Sequence, residues 1–133
     1  MWKTIKSYRF QDCLMSEAVQ EPVLRQEVVR AKDFHGRKFA DLVTNFYTIK
    51  AALRYYAVKK GMSITSTRIS EDFPLPVTVA GSALSMLEEL DVIEKRNESS
   101  SADRYPPGKV DLERLERIED ILIDNMELES FTP

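Results

Sequence analysis

Between Phe39 and Ala57 the apolar residues Phe39, Leu42, Val43, Phe46, Ile49, Leu53, Tyr56 and Ala57 fall at i, i+3, i+4, i+7, i+10, i+14, i+17 and i+18. A repeat of about 3.6 residues per turn gathers these onto one stripe, and neither a strand nor a loop does so. The spacing predicts one continuous helix, whose apolar face the rest of the chain must cover. Lys59, Lys60 and Gly61 supply its end, with cations for the C-terminal dipole and a residue free to adopt left-handed backbone. The chain has the material for one packed core. Its 133 residues are 43% hydrophobic and 31% charged with only 4 Gly and 6 Pro, which excludes collagen-like, low-complexity and wholly disordered classes.

Other elements follow from the same reasoning. Residues 2–10 fit neither period and are left as an arm. Residues 16–32 read as a helix capped by Ser16, with Pro22 close to its start and an early break there in view. Residues 62–65 read as a brief strand, and Ser66 or Thr67 as the cap of a short helix over residues 68–73. Pro74 and Pro76 force a turn. The stretch SALSMLEEL, extended back to Val77, predicts a helix with Ala83, Leu84, Leu87 and Leu90 on its inner face. Asp91 stands where a terminating glycine is expected. Residues 92–96 and 104–112 read as two strands of a β-hairpin around the polar tip NESSSAD, the second interrupted by Pro106, Pro107 and Gly108. From Leu112 the stripe Leu112, Leu115, Ile118, Leu122 and Met126 marks a last amphipathic helix, flanked by Ile121 and Leu128. Glu113 and Arg117 make a favourable i, i+4 pair on its surface.

Charge is distributed unevenly. Residues 1–36 hold 6 basic and 5 acidic side chains, residues 37–110 hold 11 and 9, and residues 111–133 hold 2 and 8. The formal net charge of −3 speaks against a wholly basic nucleic-acid binder without excluding a local basic face. No stretch approaches the roughly 18 apolar residues of a membrane span. Lys3, Lys6 and Arg9 interrupt the first apolar residues, so no signal peptide is expected and a cytoplasmic location is.

Candidate chemistry is sparse. His35 is the single histidine and Cys13 the single cysteine, so no metal site is expected, nor is a disulfide within the chain. The isolated glycines form no phosphate-cradling loop, and no nucleophile and base are paired by spacing. Neither an enzyme nor a cofactor is expected. The aromatic residues Phe46, Tyr47, Tyr55 and Tyr56 are read as packing rather than as a base-stacking platform.

The order helix, short helix, turn, helix, hairpin narrows the choice of fold. ALSMLEELDVIEKR, over residues 83–96, resembles the end of the recognition helix and the first wing strand of winged helix-turn-helix transcriptional regulators. SITSTRIS, over residues 63–70, resembles their first strand and the start of their second helix. RYPPGKVDLERLERI, over residues 104–118, resembles the return strand and a dimerising helix. This resemblance implies a mainly α fold with a small β-hairpin, a winged helix-turn-helix with flanking N- and C-terminal helices. It divides the chain into an arm and helix (residues 1–36), a winged core (37–110) and an amphipathic dimerisation helix with tail (111–133).

As function, the resemblance implies a homodimeric DNA-binding regulator on a roughly palindromic site of double-stranded DNA. Thr78, Ser82 and Ser85 would face the major groove beside Gly81 and Met86. Arg96, Arg104 and Lys109 on the wing, and Arg68 near the second helix, would meet phosphates. Leu112, Leu115, Ile118, Leu122 and Met126 would form the dimer interface. The recognition positions depart from the usual pattern, since base edges are read by Arg, Lys, Asn or Gln and these are small hydroxyl residues. They imply shape and phosphate reading. The alternative is an interaction module whose helix pair packs on another protein rather than on DNA.

Overall fold

The structure, a computed structural model, describes residues 17–59, 63–95 and 105–129, with side chains in its first helix described from Pro22. Its elements are α1 (Glu17–Phe34), α2 (Gly36–Thr44), α3 (Phe46–Lys59), α4 (Ser66–Asp72), α5 (Val77–Glu89), a 3-10 turn (Pro107–Lys109) and α6 (Leu112–Asp124). A single hydrophobic cluster runs through all six helices, from Leu24 and Val28 in α1 to Ile121 and Leu122 in α6. α2 packs most extensively on α5, α5 also on α4, and α6 on α1 and α3.

The stripe from Phe39 to Ala57 is divided between two helices. Asn45 breaks it, because its side-chain Nδ2 donates to the Asp41 carbonyl at 3.0 Å. That carbonyl is the acceptor a continuous helix reserves for the Asn45 backbone N–H, which turns instead to Val43 O. One half then packs on α1 and α5, and the other on α6 and the 3-10 turn. The inward residues remain as the spacing placed them, with Phe39, Leu42, Phe46, Ile49, Leu53 and Tyr56 buried and Val43 and Ala57 half-buried. α1 runs unbroken through Pro22. Ser16, Lys60 and Gly61 lie outside the described residues, as do the arm and Cys13.

Among the described residues no β-hairpin is formed, and with it the winged-helix fold class is corrected to an all-helical one. Among the described residues there is no strand, only an isolated antiparallel bridge in which Ile64 and Tyr105 exchange N–H···O bonds of 2.8 and 3.0 Å. Two local causes act against the hairpin. Val92 and Ile93 are fully buried as the stop of α5 and do not alternate in and out as a half-exposed strand would. On the other side Pro106 and Pro107 lack backbone donors and lead into the 3-10 turn. Asp111 N–H donates to Val92 O at 2.8 Å, a single bond between the segments expected as strands.

Two helix stops use left-handed backbone without glycine. Asp91 has φ 64° and Met126 φ 62°. After α5, Asp91 N–H bonds Glu88 O at 3.0 Å and Val92 N–H bonds Leu87 O at 2.9 Å, a Schellman arrangement sealed by the buried Val92 and Leu87 side chains. After α6 the same pattern recurs, with Met126 N–H on Ile123 O at 3.0 Å and Glu127 N–H on Leu122 O at 2.8 Å. Thus Asp91 performs the role for which the sequence offered no glycine. Met126 is 90% exposed, so its side chain offsets little of the cost of its backbone. Met126→Gly is expected to raise stability by about 0.5–1 kcal/mol, whereas Met126→Ala leaves it unchanged because alanine bears the same left-handed penalty. Paired urea melts check this.

Candidate nucleic-acid interface

α4 and α5 form a helix–turn–helix pair, and three local devices hold it. Thr65, not Ser66 or Thr67, caps α4, its Oγ1 accepting from Arg68 N at 3.0 Å. The Arg68 guanidinium donates through Nη1 to the Ser63 carbonyl at 2.5 Å, so this cation braces its own loop. Tyr56 Oη donates to Asp72 Oδ2 at 2.5 Å, with the Arg68 carbonyl 3.1 Å from the same oxygen. Burial first, and the Asp72 carboxylate second, push the Tyr56 phenol well above its ordinary range, which keeps it a donor. Phe73, in the turn, stacks edge-on against Tyr55 and Tyr56 at 6.0 and 6.2 Å. The aromatic residues from Tyr55 onward therefore fasten the turn.

α5 is buried on most of its circumference. Ala80, Ala83, Leu84, Met86 and Leu87 are covered, which removes Met86 from the outward set. Gly81 faces α4, where a Cβ built on it would lie 3.7 Å from Ser66 Cβ. Besides Val77, 45% exposed at the start of the helix, what reaches the surface is a strip at i, i+4, i+7 and i+11: exposed Thr78, half-buried Ser82 and Ser85, and exposed Glu89. Beside it, Lys38 of α2 donates through Nζ to Ser85 Oγ at 2.9 Å. Lys38 was absent from the sequence-derived set, since only the α2–α5 packing brings it there. Near the other end, His35 Nε2 lies 4.0 Å from Glu89 Oε1.

Of the remaining expected phosphate contacts, one lies among the described residues. Lys109 is exposed at the end of the 3-10 turn. Arg96 and Arg104 lie outside the described residues.

The expected dimer interface is mostly occupied within one chain. Leu115, Ile118 and Leu122 are at most 1% exposed, Leu112 is half-buried and Met126 lies past the end of α6. The cover comes from α1 and α3, and ionic contacts fasten it. Lys50 Nζ meets Glu119 Oε1 at 2.6 Å with both side chains under a fifth exposed, Arg25 meets Asp124 at 2.7 Å, and Lys32 pairs with Glu127. Arg114 is the most connected of these groups. Its backbone N–H is capped by Asp111 at 3.0 Å, its Nε donates to the Leu90 carbonyl at 2.7 Å, and its Nη2 meets Glu27 Oε1 at 2.7 Å.

Glu27 nevertheless has its carboxyl held above the ordinary carboxylate range. Burial is the main cause, the Arg114 charge works against it, and the Asp91 charge adds to it. Desolvation thus outweighs attraction in this pair. The folded state holds the Glu27 proton more tightly than the unfolded chain does, so its contribution to stability falls as pH rises through and above the ordinary carboxylate value.

Comparison with known proteins finds no family model, curated protein or solved structure that matches this chain. Among the described residues, no helix is long and apolar enough to cross a membrane, and no three His, Cys, Asp or Glu side chains converge as a metal site.

The Arg114 contacts carry a prediction. Arg114→Met, which strands Glu27 and the Leu90 carbonyl together, is expected to cost about 3 kcal/mol. Glu27→Gln is expected to gain stability relative to the parent as pH rises from about 4 to 7, since the glutamine escapes the ionisation penalty. Denaturant melts across that range measure both.

Proposed function

We propose that this chain binds duplex DNA through the α4–turn–α5 pair, reading shape and phosphates rather than a code of base edges. The observation that carries this reading is the outward strip of α5. Its first three positions are small hydroxyl side chains, Thr78, Ser82 and Ser85, with the Lys38 ammonium 2.9 Å from the last of them. Such a strip lets a helix approach the floor of the major groove without steric obstruction, and a lysine at its flank neutralises one phosphate. Direction matters as well. Thr78 lies at the N-terminal end of α5, where the helix dipole favours an anion. Glu89, the acid at the other end of the strip, lies eleven residues beyond Thr78, about 16 Å along the axis, and one turn beyond Ser85. Arg, Asn and Gln are missing from the strip, and discrimination between sequences is therefore expected to be weak. In this reading Arg68 serves the fold, and exposed Lys109 adds a cation beyond the helix pair.

Fluorescence-anisotropy titration with mixed-sequence duplex at low salt tests the proposal. Binding that weakens steeply with added salt is expected. Lys38→Glu and Thr78→Glu are each expected to reduce affinity by about tenfold or more, the value of a lost phosphate contact plus a like charge. Absent binding, or binding with no salt dependence, overturns the proposal and returns the strip to a role in contacting protein.

A further inference from the structure

The outer sides of α3 and α6 carry two exposed stripes of opposite character. On α3, Ala51, Arg54 and Val58 are spaced i, i+3 and i+7, which gathers them within about 60° of one another. All three are exposed, Val58 by 81%. Glu113, Glu116 and Asp120 repeat that spacing on α6 and are exposed as well. α3 contains no acidic residue, so Arg54 has no carboxylate on its own helix. The ion pairs that fasten these helices engage other groups, with Lys50 on Glu119, Arg25 on Asp124 and Arg114 on Glu27.

Three contacts fix how the stripes are placed. Tyr47 Oη, at the start of α3, donates to the Glu129 carbonyl beyond the end of α6 at 2.7 Å. Lys50 Nζ meets Glu119 Oε1 at 2.6 Å. Ile64, past the end of α3, bridges Tyr105, ahead of α6. The two helices therefore run antiparallel. Followed in the sense of rising residue number, the α3 stripe lies about a quarter turn from Lys50, and the α6 stripe about a quarter turn from Glu119. The same sense of rotation on antiparallel neighbours turns both stripes to one side of the helix pair.

We infer that this side of the molecule pairs with the same side of a second copy about a two-fold axis parallel to the helices, α3 of each copy lying over α6 of the other. An axis in that direction leaves heights along the helices unchanged. Lys50 is level with Glu119 in its own chain, so Arg54, four residues on, is level with Leu115 of the antiparallel helix. In the pair each Arg54 therefore falls between Glu113 and Glu116 of the other copy, twice by symmetry, and a guanidinium has donors enough for both carboxylates. Val58 comes level with the first turn of the opposing α6, where Leu112 is half-buried. Ala51 is short enough to let that helix approach and leaves the Asp120 carboxylate room to reach water. A two-fold axis in the same plane but across the helices would set the α3 stripe on itself and the acids on acids. The pairing makes no use of the apolar stripe of α6, which is already covered within one chain.

Sedimentation velocity on the full chain without DNA tests the pairing separately from the DNA reading. At about 100 μM, enough to populate even a weak dimer, the parent is expected to sediment as a dimer. Arg54→Glu and Glu116→Arg, each of which sets like charges together in both halves of the interface, are each expected to weaken the dimer by about tenfold or more. Their circular-dichroism spectra are expected to match the parent's, because both residues are exposed in the single chain. Mixed in equal amounts, the two variants are expected to dimerise with each other, since both halves of that mixed interface again join opposite charges. A monomeric parent, a single variant that dimerises as the parent does, or a mixture no more dimeric than its components overturns the inference.

Discussion

The Arg114 guanidinium joins three parts of the chain that are far apart in sequence: Glu27 on α1, the Leu90 carbonyl where α5 ends, and the first turn of α6 to which it belongs. The α5 stop depends on this neighbourhood. Asp91 turns the chain with left-handed backbone, Val92 and Ile93 drop into the core, and the Leu90 carbonyl left beyond the last turn finds its donor in Arg114. Because α5 carries the proposed binding strip, the direction of that strip is tied through Leu90 to α1 and α6. The raised Glu27 carboxyl shows what the arrangement costs. A charge pair carried into a partly desolvated place is weak as a source of net stability and strong as a fixer of geometry, since removing either partner leaves the other exposed to the full penalty.

The lopsided charge of the sequence acquires a structural use in the same region. Residues 111–133 carry 8 acids against 2 bases. In the fold Glu119, Asp124 and Glu127 pair with Lys50, Arg25 and Lys32, so the acidic segment docks on the basic sides of α3 and α1. Those three cations are thereby committed inside the chain. Lys38 differs, because it donates to the neutral Ser85 hydroxyl and its charge remains available to an anion. This difference, rather than the overall count of basic residues, points to the Ser85 side of α5.

Much of the fold was legible from periodicity because burial follows it closely. The inner faces of α3, α5 and α6 contain the residues that helical spacing put there. What escaped depends on single side chains or on contacts distant in sequence. Asn45 breaks the long helix by substituting its amide for a backbone donor, an event no stripe records. The hairpin was expected from strand-like composition, but Val92 and Ile93 are apolar because they seal a helix stop, and Pro106 and Pro107 favour a turn. The apolar stripe of α6 was read correctly as needing cover, and α1 and α3 supply it. Of the candidate site, Thr78, Ser82 and Ser85 do lie on one strip, as a three-to-four-residue spacing requires. Lys38 was invisible because 47 residues separate it from Ser85, and the bond from Arg68 Nη1 to the Ser63 carbonyl of its own loop is one that no spacing records.

The central claim is that the hydroxyl-bearing side of α5, from Thr78 to Ser85, is the surface that meets a duplex. Amide chemical-shift mapping by NMR during titration with a short DNA duplex at low salt tests this most directly. The account predicts the largest shifts at Thr78, Ser82 and Ser85 and around Lys38, with little change at Val29 and along α6. Shifts concentrated on α1, or no shifts at a duplex excess that saturates ordinary non-specific binders, would contradict it.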